Sequence, residues 1–222
     1  MNLPSPKFSD FQSESDFRNT SLQVSIKHLD LLWADFVETL SVSDLQRIEL
    51  TKDFALSLEY SHNGMSAEEY LLHPLRVGLV AGGESIEYKY ENYTVGVLHN
   101  VYEVSSASPT TIQNRFGELI NNALFTLKID RKFQKDVSYL TEYYDKIKQL
   151  PLNLGKIKVI DKLDNLYSLL LTAKEEGIIE QYLNEILTFV IPLSNFCSPR
   201  LVLVLQDSVS EINNRLLRMG SQ

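Results

Sequence analysis

The chain has 222 residues, 44% of them hydrophobic, which is enough to bury one sizeable core and makes a single globular domain the expectation. Lysine and arginine number 21 against 29 aspartate and glutamate, a formal charge of -8, so the surface at large repels nucleic acid and anionic membranes, and any phosphate-bearing ligand needs a local cation. A lone cysteine, Cys197, excludes an intrachain disulfide and a thiolate zinc cage and suits a reducing, cytoplasmic setting.

Residues 1–20 are rich in Ser, Pro and Asn with no clear period and read as a flexible tail, without the continuous apolar segment of a secretory signal. Residues 21–222 read as one helical domain. Val24, Leu31, Leu32, Phe36 and Leu40 recur at helical intervals and predict a first helix. Ser43 followed by Gln46 predicts a capping box and a second helix running to about Tyr60. "SHNGMS" (61–66) breaks it with an Asn-Gly turn signal, and a third helix follows over 67–83, ended by its own Gly-Gly pair. "YTVGVLHNVYEV" (93–104) is apolar on most sides and predicts a central fourth helix. Further helices are expected over 108–127, 138–150 and 153–177, with two more in 178–218 separated near Pro192 to Pro199. Period-two alternation is scarce, so the fold class is all-α. The longest apolar runs, 187–193 and 201–205, fall far short of the roughly 20 residues of a membrane helix, and no membrane association is expected.

Three separated segments offer metal-type ligands: His73; His99 with Asn100 and Glu103; and Asp161 with Asn165. Singly, each has an ordinary reading, because a lone histidine on an apolar helix is more often a hydrogen-bonded core residue than a ligand. Helical spacing strengthens the set: Asp161 and Asn165 share a helix face, and so do His99 and Glu103. Positive charge near them comes from Lys158 and Lys162, which flank Asp161, with Arg76 one turn beyond His73 as a weaker candidate. No Gly-rich phosphate loop and no Gly-x-Ser-x-Gly elbow is present. Tyr88, Tyr90, Tyr93 and Tyr102 read as core or rim packing in so acidic a chain, and no nucleic-acid partner is expected.

Four segments match one family in order. "YLLHPLRVG" (70–78) resembles the opening motif of RelA/SpoT-type HD domains, and "VGVLHNVYEVS" (95–105) resembles their Leu-His-Asp-x-x-Glu-Asp segment. "TTIQNRFGELI" resembles their Thr-x-x-x-Ile-x-x-x-Phe-Gly helix, and "IKVIDKLDNL" their Lys-x-x-Asp-Arg-Leu-x-Asn-Leu helix. The motif-bearing part is 54–167, which leaves 168–218 as C-terminal helices. The resemblance implies an HD-domain helical bundle that holds one divalent ion, commonly manganese, through His73, His99, Asn100 and Asp161. It implies removal of the 3′-pyrophosphate from guanosine tetra- or pentaphosphate, with Glu103 positioning or activating water and Asn165 contacting the nucleotide or fixing the site. Such an ion polarises a phosphoryl oxygen and lowers the pKa of its bound water, while a neighbouring carboxylate takes the proton.

The sequence departs from the family pattern at three places. Asn100 stands where the family has Asp, so an anionic ligand becomes a neutral amide. Val104 replaces the second acidic residue, and "HNGMSAEEY" occupies the place of a basic His-x-Gly-Gln-x-Arg-Lys run. These changes predict a degenerate pyrophosphohydrolase, slow or inactive. The alternative is a non-catalytic nucleotide-binding or protein-interaction module, in which "YLNEILTFVIPLSNF" (182–196) serves as core or as a homodimer contact.

Overall fold

The computed structural model describes residues 14–61, 66–170 and 176–219. Among them the regular structure is helical: Tyr60 and Ser105 form an isolated antiparallel bridge, and there is no strand. The fold is all-α. No helix among the described residues is long and apolar enough to cross a membrane.

Helix α1 spans Glu14–Val37 and so begins inside the segment read as a tail. Residues 1–13 and the expected Asn-Gly turn lie outside the described residues. Helix α2 (Val42–Ser57) is capped by Ser41, not by the expected Ser43. The Ser41 hydroxyl accepts from the Asp44 amide at 3.1 Å and donates to the Asp44 carboxylate at 2.7 Å, which also places an anion in the first turn where the helix dipole favours it. Helix α3 (Ala67–Gly83) opens on a two-armed capping box between Ser66 and Glu69.

The single helix expected over 93–104 is two pieces. Helix α4 runs from Lys89 to Leu98, and α5 is one turn, Val101–Val104. Between them Asn100 sits at φ -104° and ψ 7°, the bridge conformation that interrupts a helix at little cost to a short polar residue. The helix expected over 108–127 is likewise divided into α6 (Pro109–Phe116) and α7 (Glu118–Leu127), because Gly117 takes φ +88°, where a Cβ would be strained. Helix α8 (Val137–Ile147) is capped by Asp136. After α9 (Leu152–Leu170), α10 (Glu176–Glu185) passes through a π-helical segment, Ile186–Val190, straight into α11 (Ile191–Cys197). Pro192 therefore causes no break: the Ile191 amide bonds back to the Ile186 carbonyl in the wider turn just before it. The chain turns at Ser198 and Pro199 into α12 (Arg200–Met219).

Two packing relationships place the site. Helices α3 and α4 cross in close contact at Gly78 and Gly96, where a Cβ on Gly96 would meet the Gly78 backbone. Helix α9 runs through the interior, with Leu154, Ile157, Val159, Ile160 and Leu166 at most 2% exposed, and packs on α3, α4, α11 and α12. The buried apolar residues, from Phe36 to Ile212, form one continuous core.

Candidate metal centre

His73 on α3, His99 just after α4, and Asp161 on α9 converge, although they are far apart in sequence. Their donor atoms all lie within 4.8 Å of one another. His73 Nε2 is 3.2 Å and His99 Nε2 is 3.5 Å from Asp161 Oδ1, and the two rings meet edge to face with centroids 5.2 Å apart.

Each ring is anchored through its other nitrogen. His73 Nδ1 donates to Asp164 Oδ2 at 2.7 Å, and His99 Nδ1 donates to the Gly96 carbonyl at 2.7 Å. Asp161 is held as well: Asn165 donates its amide to Oδ1 and Lys158 its ammonium to Oδ2, both at 2.7 Å. Burial alone would raise the Asp161 pKa, but Lys158 and the two histidines hold the carboxyl well below its ordinary value. Lys158, itself buried, is pushed well above its ordinary value by Asp161, against the effect of burial. Burial would likewise lower His73, yet hydrogen bonds to Asp161 and Asp164 raise it to about 9. Without an ion a proton on His73 thus lies between two carboxylates.

The donor set fits a dication. His99 Nε2 is buried 3.5 Å from Asp161 Oδ1 and has no hydrogen-bond partner, while its Nδ1 is satisfied, so a ligand-type nitrogen faces the carboxylate without a hydrogen bond of its own. Ligand atoms about 2.1 Å from one ion lie at most about 4.2 Å from each other, so a cluster within 4.8 Å accommodates an ion with a small inward shift.

Among solved structures, a metazoan ortholog of SpoT, which hydrolyses ppGpp and plays a role in starvation responses, is similar in fold. The match has a TM-score of 0.59 and 18% identity, and covers 78% of this chain and 96% of that one. The chain has the HD-domain fold. At this identity the likeness is one of fold; no family model matches the sequence, and neither does any curated protein.

Within the HD domain the other expected site residues are placed as follows. Asn100 is half-buried at the start of α5, and its side chain is hydrogen-bonded to Tyr70, one turn before His73. Glu103 is already paired: its side chain is 4% exposed, Oε1 accepts from the Ile129 amide at 3.1 Å, and Oε2 pairs with Arg131 at 3.3 Å. A break in the helix at His99 and Asn100 separates His99 from Glu103. Asn165 touches Asp161 directly. Lys158 is on Asp161, whereas Lys162 is buried against Glu185 of α10 at 2.8 Å. Arg76 is buried and forks onto Asp164 at 2.7 and 2.8 Å. Asp164 is the residue that sequence reasoning missed. The signal was its spacing: it lies three residues after Asp161, as Arg76 lies three after His73, so each pair shares a helix face.

Proposed function

We propose that this HD domain is a metal-dependent phosphohydrolase acting on a nucleotide polyphosphate of the guanosine tetraphosphate type, with a weakened centre and slow turnover. The observation that carries this reading is the buried, unpartnered Nε2 of His99 facing His73 and Asp161. In this reading His73, His99 and Asp161 hold a divalent ion, manganese by the family resemblance, and Asn100 offers a fourth, neutral oxygen. Such an ion supplies Lewis-acid activation of a phosphoryl group and of water. Asn165 and Lys158 keep the Asp161 carboxylate in place, and Lys158 is the cation nearest to a bound phosphate. Lys162 contributes to anion binding only by leaving Glu185. Glu103 serves as base after releasing Arg131, and Arg131, half exposed beside it, offers the incoming anion a positive charge. Val104, where the family has a second acid, is the main reason to expect slow hydrolysis.

A second reading is favoured by how fully the polar groups are already paired. Glu103, Lys158, Lys162 and Asn100 each have an internal partner, as expected of a non-catalytic nucleotide-binding or interaction module, for which a homodimer is one form. The deciding experiment is metal analysis of protein purified without chelators, followed by assay of pyrophosphate release from guanosine tetraphosphate with added Mn2+. About one ion per chain with slow, His73-dependent release supports the first reading. An empty protein that releases no pyrophosphate rules it out in favour of the second.

A further inference from the structure

Asp164 is clamped on both sides. Its Oδ1 accepts from Arg76 Nε at 2.7 Å, and its Oδ2 accepts from Arg76 Nη2 at 2.8 Å and from His73 Nδ1 at 2.7 Å. Arg76 is 3% exposed, and its fork is steadied by Ser25 of α1 at 3.3 Å and Ser168 of α9 at 3.5 Å. Neither carboxylate oxygen is free to turn away. We propose that Asp164, fixed by Arg76, is a positioning residue for the metal centre that locks His73 in the tautomer with Nδ1 protonated and Nε2 directed at Asp161.

The chemistry follows from the imidazole ring. A neutral imidazole carries one N–H and one lone pair, and a hydrogen bond from Nδ1 decides that Nε2 is the ligand atom. His99 receives the same service from a neutral acceptor, the Gly96 carbonyl. His73 receives it from a carboxylate, which also increases the electron density on Nε2, so His73 becomes the stronger donor of the pair. That matters in a centre where Asn100 supplies no charge. Nothing in the four family motifs assigns Asp164 this part, since it falls at one of the three unspecified positions of the last motif. The proposal rests on the reading of His73 as a ligand, and the experiment separates the two.

The protein, stripped of metal, is titrated calorimetrically with Mn2+ as wild type, Asp164→Asn and His73→Ala, with melting curves of each metal-free form. In parallel, long-range 1H–15N spectra of Zn2+-loaded wild type report which nitrogen of His73 carries the proton. The expected result is one site in wild type, affinity lower by at least about tenfold in Asp164→Asn, none in His73→Ala, and a proton on Nδ1. Equal affinity in a folded Asp164→Asn protein overturns the role of Asp164 and leaves the metal centre standing. Should Asp164→Asn fail to fold, the wild-type spectrum decides alone, and a proton on Nε2 overturns the proposal. If wild type takes up no ion, the metal reading itself falls and carries this proposal with it.

Discussion

Gly78 and Gly96 pack backbone against backbone: a Cβ on Gly96 would lie 2.7 Å from the Gly78 Cα and 2.9 Å from its nitrogen. The same Gly96 presents its carbonyl to His99 Nδ1, so the crossing of α3 and α4 sets both the spacing of the helices and the orientation of a ligand. Helices that approach this closely have no room to adjust to a methyl group. Gly96→Ala is expected to cost about 1–3 kcal/mol and to weaken ion uptake as α4 is displaced. Urea unfolding of the metal-free variant checks the first effect, and a midpoint equal to that of wild type contradicts it.

Asn100→Asp puts a carboxylate where the amide now stands. Hard divalent ions favour anionic oxygen, and the Tyr70 hydroxyl, now hydrogen-bonded to the Asn100 side chain, can donate to a carboxylate in its place. Mn2+ affinity is expected to rise by about tenfold, equivalent to about 1.4 kcal/mol. Calorimetric titration reads this directly; unchanged affinity means that position 100 does not face the ion.

The metal-free protein should lose stability on the alkaline side. Burial opposes the charge on His73, but Asp161 and Asp164 raise its folded-state pKa to about 9, above the ordinary 6.5. A raised pKa means that the folded state holds the proton more tightly, so the contribution is complete below about 6.5 and is lost as pH climbs through 9. The loss is on the order of 3 kcal/mol. Denaturation midpoints measured with chelator between pH 6 and 9.5 should fall in wild type and stay nearly level in His73→Gln. A wild-type profile as flat as the variant's contradicts the assignment.

How much of this was legible in the sequence depends on the range over which each feature is determined. His73, His99 and Asp161 could be picked out because each lies in a strong helical pattern and the motifs come in order. The breaks at Asn100 and Gly117 were not legible from apolar periodicity, which runs straight through them; a single backbone conformation at each decides the matter. The surroundings of Glu103 and Lys162 were hidden for another reason. Their partners, the Ile129 amide with Arg131 and the Glu185 carboxylate, arrive from segments that share no local pattern with them. Asp164 was within reach, since its spacing from Asp161 matches that of Arg76 from His73, but only the fold shows the two pairs facing each other.

Cys197 should be a sluggish thiol. Burial pushes its pKa up to about 11, with Lys156 opposing only in part. At pH 8 roughly one thiol in a thousand is then ionised, and the thiolate is the reactive form. Alkylation of the native protein by iodoacetamide is expected to run at least about 100-fold slower than that of a free cysteine. Rapid labelling without unfolding contradicts this and indicates that the end of α11 opens.

Asp161 and Lys162 are consecutive residues gripped from different directions. Asp161 faces the two histidines, and Lys162 is tied to Glu185 of α10. Neighbouring side chains on a helix diverge by about 100°, so rolling α9 about its axis to relax one grip strains the other. The helix is torsionally locked like a shaft keyed at two angles, and Asp161 changes its aim only if α10 travels with it.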